Sequence, residues 1–492
     1  MFARGSLMLR RSIVVVALFA TAAGFVTVVL YAQVQPAAAV PAFARQYDLQ
    51  CNACHTRPPR LNRFGEQFHM MGFQIPSASR PDGLLGSLKE DGPAKTLIDS
   101  LALRVVGGLF EYSESPRETE AKLESPHEVE FFIARPITPS LSLYAELEYQ
   151  PNGIAFSRDR GFFNSCHTFG LGKEAFFMWN MGALLGAVGA PTMEMGGQTM
   201  VGRHGGFTMH GPMLMAGKVD PNTNFSYSTN RQMLLDTELE FEREPGKDRS
   251  EVHRLPIVPY AFASKFFGLF KNRGEREPQL VTDLVMYDTT GAPGADFHAM
   301  FNDVLLAQLG FLSENEGFNT YGMLRYDLLD RRELTFNVSV LLNWGFGVVR
   351  APDPEEHHHP GGARLDRLRY GIAANLKWKA LDVYGAVIID RLYGLPGALR
   401  GDFDRAAAGL SVEVDYLAHE KVMLSGRFDQ LWAGGLKDEE LDGTVLSVQA
   451  KFYPWQNIAF FVRDSVNLRP FKEDNALRSW RNQLFVGIDW DF

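Results

Sequence analysis

The sequence predicts a mostly β protein: a transmembrane antiparallel β-barrel of about sixteen strands, with a small N-terminal α-helical segment plugging its lumen. Three observations predict it. From about residue 100 onward, segments of about ten residues alternate apolar and polar side chains. No second apolar run of eighteen residues follows the one near the N-terminus, so helical spans are not expected. Ahead of the alternating region stands Cys51-Asn52-Ala53-Cys54-His55, in a stretch with helical rather than alternating periodicity.

The alternation is regular. Leu334, Phe336, Val338, Val340, Leu342 and Trp344 interleave with Thr335, Asn337, Ser339 and Asn343. Leu368, Tyr370, Ile372, Ala374, Leu376 and Trp378 interleave with Arg369, Asn375 and Lys377. Leu410, Val412, Val414 and Tyr416 alternate with Ser411, Glu413 and Asp415, and Leu446, Val448, Ala450 and Phe452 with Ser447, Gln449 and Lys451. A soluble sandwich would also alternate, but Trp344, Trp378, Tyr416, Phe452 and Trp455 fall at segment ends, where interfacial girdles lie. The last segment, Leu484, Val486, Ile488, Trp490 and Phe492, has Gln483, Asp489 and Asp491 between. Fourteen to seventeen strands can be marked, least clearly over 150–280, and an even number near sixteen suits the length. A barrel of that size has a lumen wide enough for a plug.

The first thirty-nine residues read as a secretory signal: Arg4, Arg10 and Arg11, an apolar run from Ile13 to Leu30, and small residues at Ala37-Ala38-Ala39. The run is long enough to serve alternatively as an uncleaved anchor. The formal charge is −9; cleavage after Ala39 takes the basic residues from 49 to 46 against 58 acids, a net of −12. That balance excludes a nucleic-acid binder, which needs a basic face. Three cysteines in 492 residues exclude a disulfide scaffold.

Two cysteines two residues apart, followed at once by histidine, form the attachment pattern of one covalent haem c. One turn of chain presents both thiols to the porphyrin vinyl groups and places His55 on the iron. Structural zinc would need four ligands, and the only other cysteine, Cys166, is far away. A thioredoxin-like pair expects a βαβ surround, and a Cys51–Cys54 disulfide would close a very short loop. Residues 40–80 form the haem unit and 81–99 a linker to the barrel at 100–492. Pro58-Pro59 ends the motif and can begin a helix. Leu61, Phe64, Phe68 and Met71 recur at helical spacing, with Gly72 as a stop. The distal iron ligand is expected from Met71, which shares the stripe, with His69 and Met70 as alternatives; Met71 as plain core filling is the bland reading. So small a unit cannot build its own core, and the barrel would supply walls.

Three further features carry expectations. Met178, Met181, Met193, Met195, Met200, Met209, Met213 and Met215, with His204 and His210, suit soft-metal binding or adaptable packing against the plug, and packing is preferred. Cys166-His167 is half a haem motif, with Phe163 where the first cysteine would stand; a free thiol is preferred. Glu355, Glu356, His357, His358 and His359 sit in a Pro/Gly-rich loop and could hold a divalent metal, or could form a solvated loop.

Phe43-Ala44-Arg45-Gln46, the Cys51–His55 motif, and Phe64-Gly65-x-x-Phe68-x-x-x-Gly72-Phe73 together resemble the outer-membrane fused monohaem cytochrome–porins, whose best-known members are the iron oxidases of iron-oxidising bacteria. The match is specific over residues 43–73 and architectural over the barrel, where the terminal Phe492 also resembles the C-terminal signal of bacterial outer-membrane barrels. The resemblance implies an oxidoreductase that takes electrons from extracellular Fe(II) and delivers them to a periplasmic c-type cytochrome or cupredoxin, with Cys51, Cys54 and His55 as the haem site. Alternatives are a porin or sensor with a structural or regulatory haem, and a conduit for another reductant or for outward flow. Each has outer-membrane lipid as its surround.

Overall fold

The computed structural model describes residues 42–47, 49–74, 83–114, 119–122, 128–138, 140–151, 167–181, 193–195, 198–200, 209–219, 233–234, 238–241, 253–256, 270–272, 279–281, 292–302, 304–314, 317–331, 333–350, 364–394, 403–404, 406–432, 435–436, 443–468 and 482–491. Sixteen antiparallel strands close into a barrel. They are β1 Leu101–Glu114, β2 Glu128–Thr138, β3 Leu141–Pro151, β4 His167–Asn180, β5 Met209–Val219, β6 Ala292–Phe301, β7 Leu305–Glu314 and β8 Gly317–Arg331. They continue with β9 Leu334–Arg350, β10 Arg364–Trp378, β11 Leu381–Tyr393, β12 Ala406–His419, β13 Val422–Trp432, β14 Gly443–Trp455, β15 Ile458–Asn467 and β16 Asn482–Asp491. A short strand, Thr119–Lys122, adds to the far end of β1.

Closure joins β16 to β1, from Asn482 opposite Glu114 to Asp491 opposite Arg104. The seam is stapled inside by Arg104, whose Nε donates to Asp489 Oδ1 at 2.9 Å and whose Nη1 donates to Glu130 Oε2 at 2.9 Å. Strands at one end are joined by tight turns, as at 379–380, 420–421 and 456–457, and at the other end mostly by longer connections, the longest spanning 220–291. In bacterial barrels short turns face the periplasm.

The alternation read in the sequence becomes an apolar outside and a polar inside. Val340, Leu342, Ile372, Leu446 and Val448 are exposed outward, whereas Asn343, Arg369, Ser411, Glu413, Ser447 and Lys451 are buried within. Outward aromatics form two girdles. Trp179, Tyr326, Trp378, Tyr416 and Trp490 stand toward the tight-turn end, and Phe318, Trp344, Phe346 and Tyr393 toward the other. Trp344 stacks on Tyr393 with centroids 5.8 Å apart. Trp378 is level with Leu334, ten positions before Trp344, or about 34 Å of strand. After the usual tilt that is close to the ~25 Å apolar band of outer-membrane barrels.

The N-terminal segment lies inside the tight-turn end. It comprises α1 Ala42–Tyr47, α2 Cys51–Cys54 and α3 Arg63–Met70, with His55–Arg57 bridging back to Arg60–Leu61. The α3 helix starts at an Asn62 N-cap, whose Oδ1 accepts from Gly65 N at 3.0 Å, rather than at the prolines. It ends as a Schellman motif: Gly72 N donates to His69 O, and Phe73 N to Phe68 O. Gly72 has φ +70°, so its lack of a Cβ is used. The predicted linker 81–99 instead carries two helices, α4 Gly83–Glu90 and α5 Gly92–Ser100, the latter with Pro93 in its first turn.

Ion pairs and hydrogen bonds tie the plug to the wall on several sides. Glu66 takes Lys377 Nζ of β10 at 2.6 Å and Arg325 Nη2 of β8 at 2.8 Å. Arg60, fully buried, pairs with Asp382 of β11 at 2.8 Å and lies 3.7 Å from Asp415 of β12. Arg63 reaches Asp330 of β8 at 2.5 Å. Tyr453 of β14 donates to the Pro58 carbonyl at 2.7 Å, and His298 of β6 to the Met70 carbonyl at 3.0 Å. Ser142 of β3 donates to the Gly72 carbonyl. A second inward element comes from the 220–291 connection. Met233 and Leu234 are buried there, held by Glu413, Arg427 and Gln449.

Candidate haem-attachment site

The Cys51–Cys54 turn is held from below by the start of α3. Asn62 Nδ2 donates to the carbonyls of Asn52 and Ala53, at 3.1 and 3.0 Å, and Asn62 N donates to the Cys54 carbonyl at 2.9 Å. Gly65 is required at this contact, because a Cβ there would strike the Cys54 carbonyl oxygen. Both cysteines are half-buried and neither forms a disulfide. Burial pushes the Cys54 thiol up to about 12, with Cys51 adding to the shift. Burial also raises Cys51, with Asp491 contributing.

His55 is half-buried, and its Nδ1–H donates to the Pro59 carbonyl at 3.2 Å. A backbone carbonyl on one ring nitrogen is the usual way of setting the tautomer and orientation of a ligating histidine, with Nε2 as the ligating atom. The donor set therefore fits a covalently held haem: two thiols on one turn, an adjacent oriented imidazole, and an aromatic surround. Cys54 and Phe64 pack on a cluster containing Phe68, Phe73, Phe176, Met178, Met213 and Tyr321. Phe43 stacks on Phe73 at 4.6 Å, Phe73 on Tyr144 at 5.3 Å, and Phe64 on Phe68 at 6.0 Å. Tyr144 and Phe176 come from the wall, so plug and barrel share one core.

The three distal candidates go to different places. His69 is buried, edge-on to Phe73 at 5.0 Å and to Phe176 at 6.5 Å, within the cluster that Cys54 borders. Met70 packs outward into the wall with Met300, Leu306, Met323 and Leu341. Met71 is half-buried and is the C-cap, where the chain has left helical geometry; the stripe that singled it out stops one residue earlier.

Met178, Met213 and Met215 are buried around the plug, and the first two pack on Gly72, as the packing reading expects. Met193 and Met200 pair across a short hairpin, and Met209 opens β5 opposite Phe301. His204, Cys166, Glu355, Glu356, His357, His358, His359, Phe492 and the signal region 1–39 lie outside the described residues. Among the described residues no cluster of His, Cys, Asp and Glu is arranged for a metal ion. Glu66 and Arg60, both central to seating the segment, are not marked by any sequence pattern; only Asn62, an N-cap type just ahead of a periodic run, carries a usable signal.

No family model and no curated protein matches the sequence. Among solved structures, the chain is similar to an anion-selective porin from Comamonas acidovorans, at 9% identity and TM-score 0.46 over 80% of this chain and 99% of that one. It is also similar to Salmonella typhi OmpF in complex with daunomycin, at 11% identity and TM-score 0.43 over 80% and 97%. A third is the outer-membrane channel DcaP of Acinetobacter baumannii, at 9% identity and TM-score 0.41 over 80% and 96%. These likenesses concern the fold alone. By its own strand order and register, the chain is a closed sixteen-strand, porin-like β-barrel of the outer-membrane type, with short N-terminal helices seated in one end.

Proposed function

We propose that this is an electron-transfer barrel of the outer membrane, whose plug carries one covalent haem c at Cys51, Cys54 and His55. The observation that supports this reading is the placement of the Cys-x-x-Cys-His turn. It sits on a segment ion-paired to the inner wall, with its histidine oriented by the Pro59 carbonyl and its second cysteine against an aromatic core. Cys51 and Cys54 would hold the group through thioethers, and His55 Nε2 would ligate the iron. Of the distal candidates, packing favours His69, which shares the aromatic cluster with Cys54.

When bound, the haem supplies one-electron redox chemistry, so that an extracellular reductant such as Fe(II) loses one electron and a periplasmic c-type cytochrome or cupredoxin gains it. The chain's own residues position and insulate. Phe43, Tyr47, Phe64 and Phe68 keep water from the attachment turn, and Arg60 and Glu66 fix its depth in the barrel. A net acidic chain favours the approach of cations. The test is anaerobic addition of Fe(II) to the haem-loaded protein in detergent. Reduction of the haem band is expected; a band that only dithionite reduces would remove the iron reading.

The second reading is a channel or sensor barrel with the haem in a structural role, favoured by the porin-like closed wall itself. It predicts ion-conductance steps from the full chain in a planar bilayer. The electron-transfer reading predicts none while the plug is seated.

A further inference from the structure

Helix α5 is amphipathic in the reverse sense. Thr96, Asp99 and Ser100 are buried, Thr96 at 2% exposure, whereas Leu97 and Ile98 are 59% and 62% exposed. Exposed Leu88 near the end of α4 and Leu101 at the start of β1 extend the apolar side. A helix on a wet surface turns its apolar stripe inward.

The reason lies beneath it. Arg135 of β2 pairs with Leu143 of β3, which pairs with the outward-exposed Phe177 of β4. The alternate positions, Glu130 and Ala134, are buried on the lumen side. Arg135 therefore stands on the outer face of the barrel, yet it is 5% exposed. The α5 helix covers it: Arg135 Nη1 donates to the Thr96 carbonyl at 3.1 Å and to Ser100 Oγ at 2.9 Å. From the plug side, Arg45 Nη2 donates to the carbonyls of Ile98 and Leu101. The helix is thus clamped with its polar side on the wall and its apolar side outward, at the end where Trp490 pairs with Val105.

We propose that α5 lies in the phospholipid leaflet at the tight-turn end, with Leu97 and Ile98 in the acyl region just below the headgroups. The occupant is lipid because the patch runs without a break into the barrel's own lipid-facing surface through Leu101, opposite Ile133 and next to exposed Phe131. Lys95 is paired with Asp91 at 3.2 Å and with Asp99 at 3.1 Å, so its charge is met within the helix and no anionic headgroup is needed. The proposal does not depend on the haem.

The test is photocrosslinking of the full chain in phosphatidylcholine vesicles, with benzoylphenylalanine replacing Leu97. The same probe at Leu309, on the barrel's outer face at 67% exposure, is the positive control, and at Glu333, exposed in a tight turn beyond the strand ends, the water-side control. Heat-modifiable migration establishes that each variant is folded. Phospholipid adducts, read by intact mass, are expected at Leu97 at a yield comparable with Leu309 and several-fold above Glu333. A yield no higher than at Glu333 in folded protein would overturn the proposal, as would a probe in native envelopes that crosslinks to a protein and not to lipid.

Discussion

Arg60 Nε and Asp382 Oδ2 meet at 2.8 Å with both groups buried, joining a residue five places beyond His55 to a wall strand 322 positions downstream. Asp415 adds a second carboxylate at 3.7 Å, and the guanidinium lies 4.4 Å from the Tyr384 ring centroid. Removing the cation breaks a buried pair and leaves Asp382 with Asn375 and the more distant Lys377, at 3.9 Å, a loss of up to about 3–5 kcal/mol. Arg60→Ala should therefore expose the 42–74 segment to limited proteolysis while the barrel stays heat-modifiable. Arg60→Lys should recover part of the protection, because it keeps the charge and loses the planar stacking.

Glu66 makes the seat of the plug sensitive to acid. Burial favours the neutral carboxyl, but Lys377 and Arg325 outweigh it and hold Glu66 well below the usual carboxylate range. Its folded pKa lies below the unfolded value of about 4.3, so its contribution is complete above that pH and is lost as the pH falls toward the folded value. Protection of the plug from protease should be flat from pH 8 to 5 and decline below about pH 4. In Glu66→Gln that acid step should shrink, leaving the part carried by Asp382 and Asp330, and protection should be lower throughout.

The two thiols give a direct test of covalent attachment. If they are joined to haem, denatured protein shows a pyridine haemochrome and no maleimide labelling at Cys51 or Cys54, and Cys51→Ser with Cys54→Ser abolishes the haemochrome. In folded protein made without haem, Cys54 at about 12 should alkylate at pH 8 on the order of a thousandfold more slowly than an unperturbed thiol.

The distal position separates by spectroscopy. His69→Ala should shift the reduced-haem absorption bands and admit carbon monoxide, whereas Met71→Ala and Met70→Ala should leave the bands in place. Shifts confined to Met71→Ala would return the assignment to the residue on the helical stripe.

Much of this architecture could be read from residue order. The wall was legible because period-two alternation reports directly on an apolar outside facing lipid and a polar inside, as Val448 and Gln449 show. The Cys51–His55 turn and the stop at Gly72 were legible because each is a local rule of spacing or backbone conformation. The seating was not. Arg60 and Glu66 read as ordinary surface charges, since their partners lie hundreds of residues away. Helix α5 read as linker because its apolar pair is short and faces away from the protein, so no core-facing stripe marks it. Met71 was favoured over His69 by a periodicity that ends at Met70.

The plug's ionic partners all come late in the chain: those of Glu66 follow by 259 and 311 positions, and that of Arg60 by 322. During synthesis and export the haem-motif segment thus travels as a passenger with no seat, too small to fold alone. Its shape is conferred backward by the eighth to twelfth strands, so a nascent chain cut short before Gly317 should leave an intact motif that never acquires its native seat.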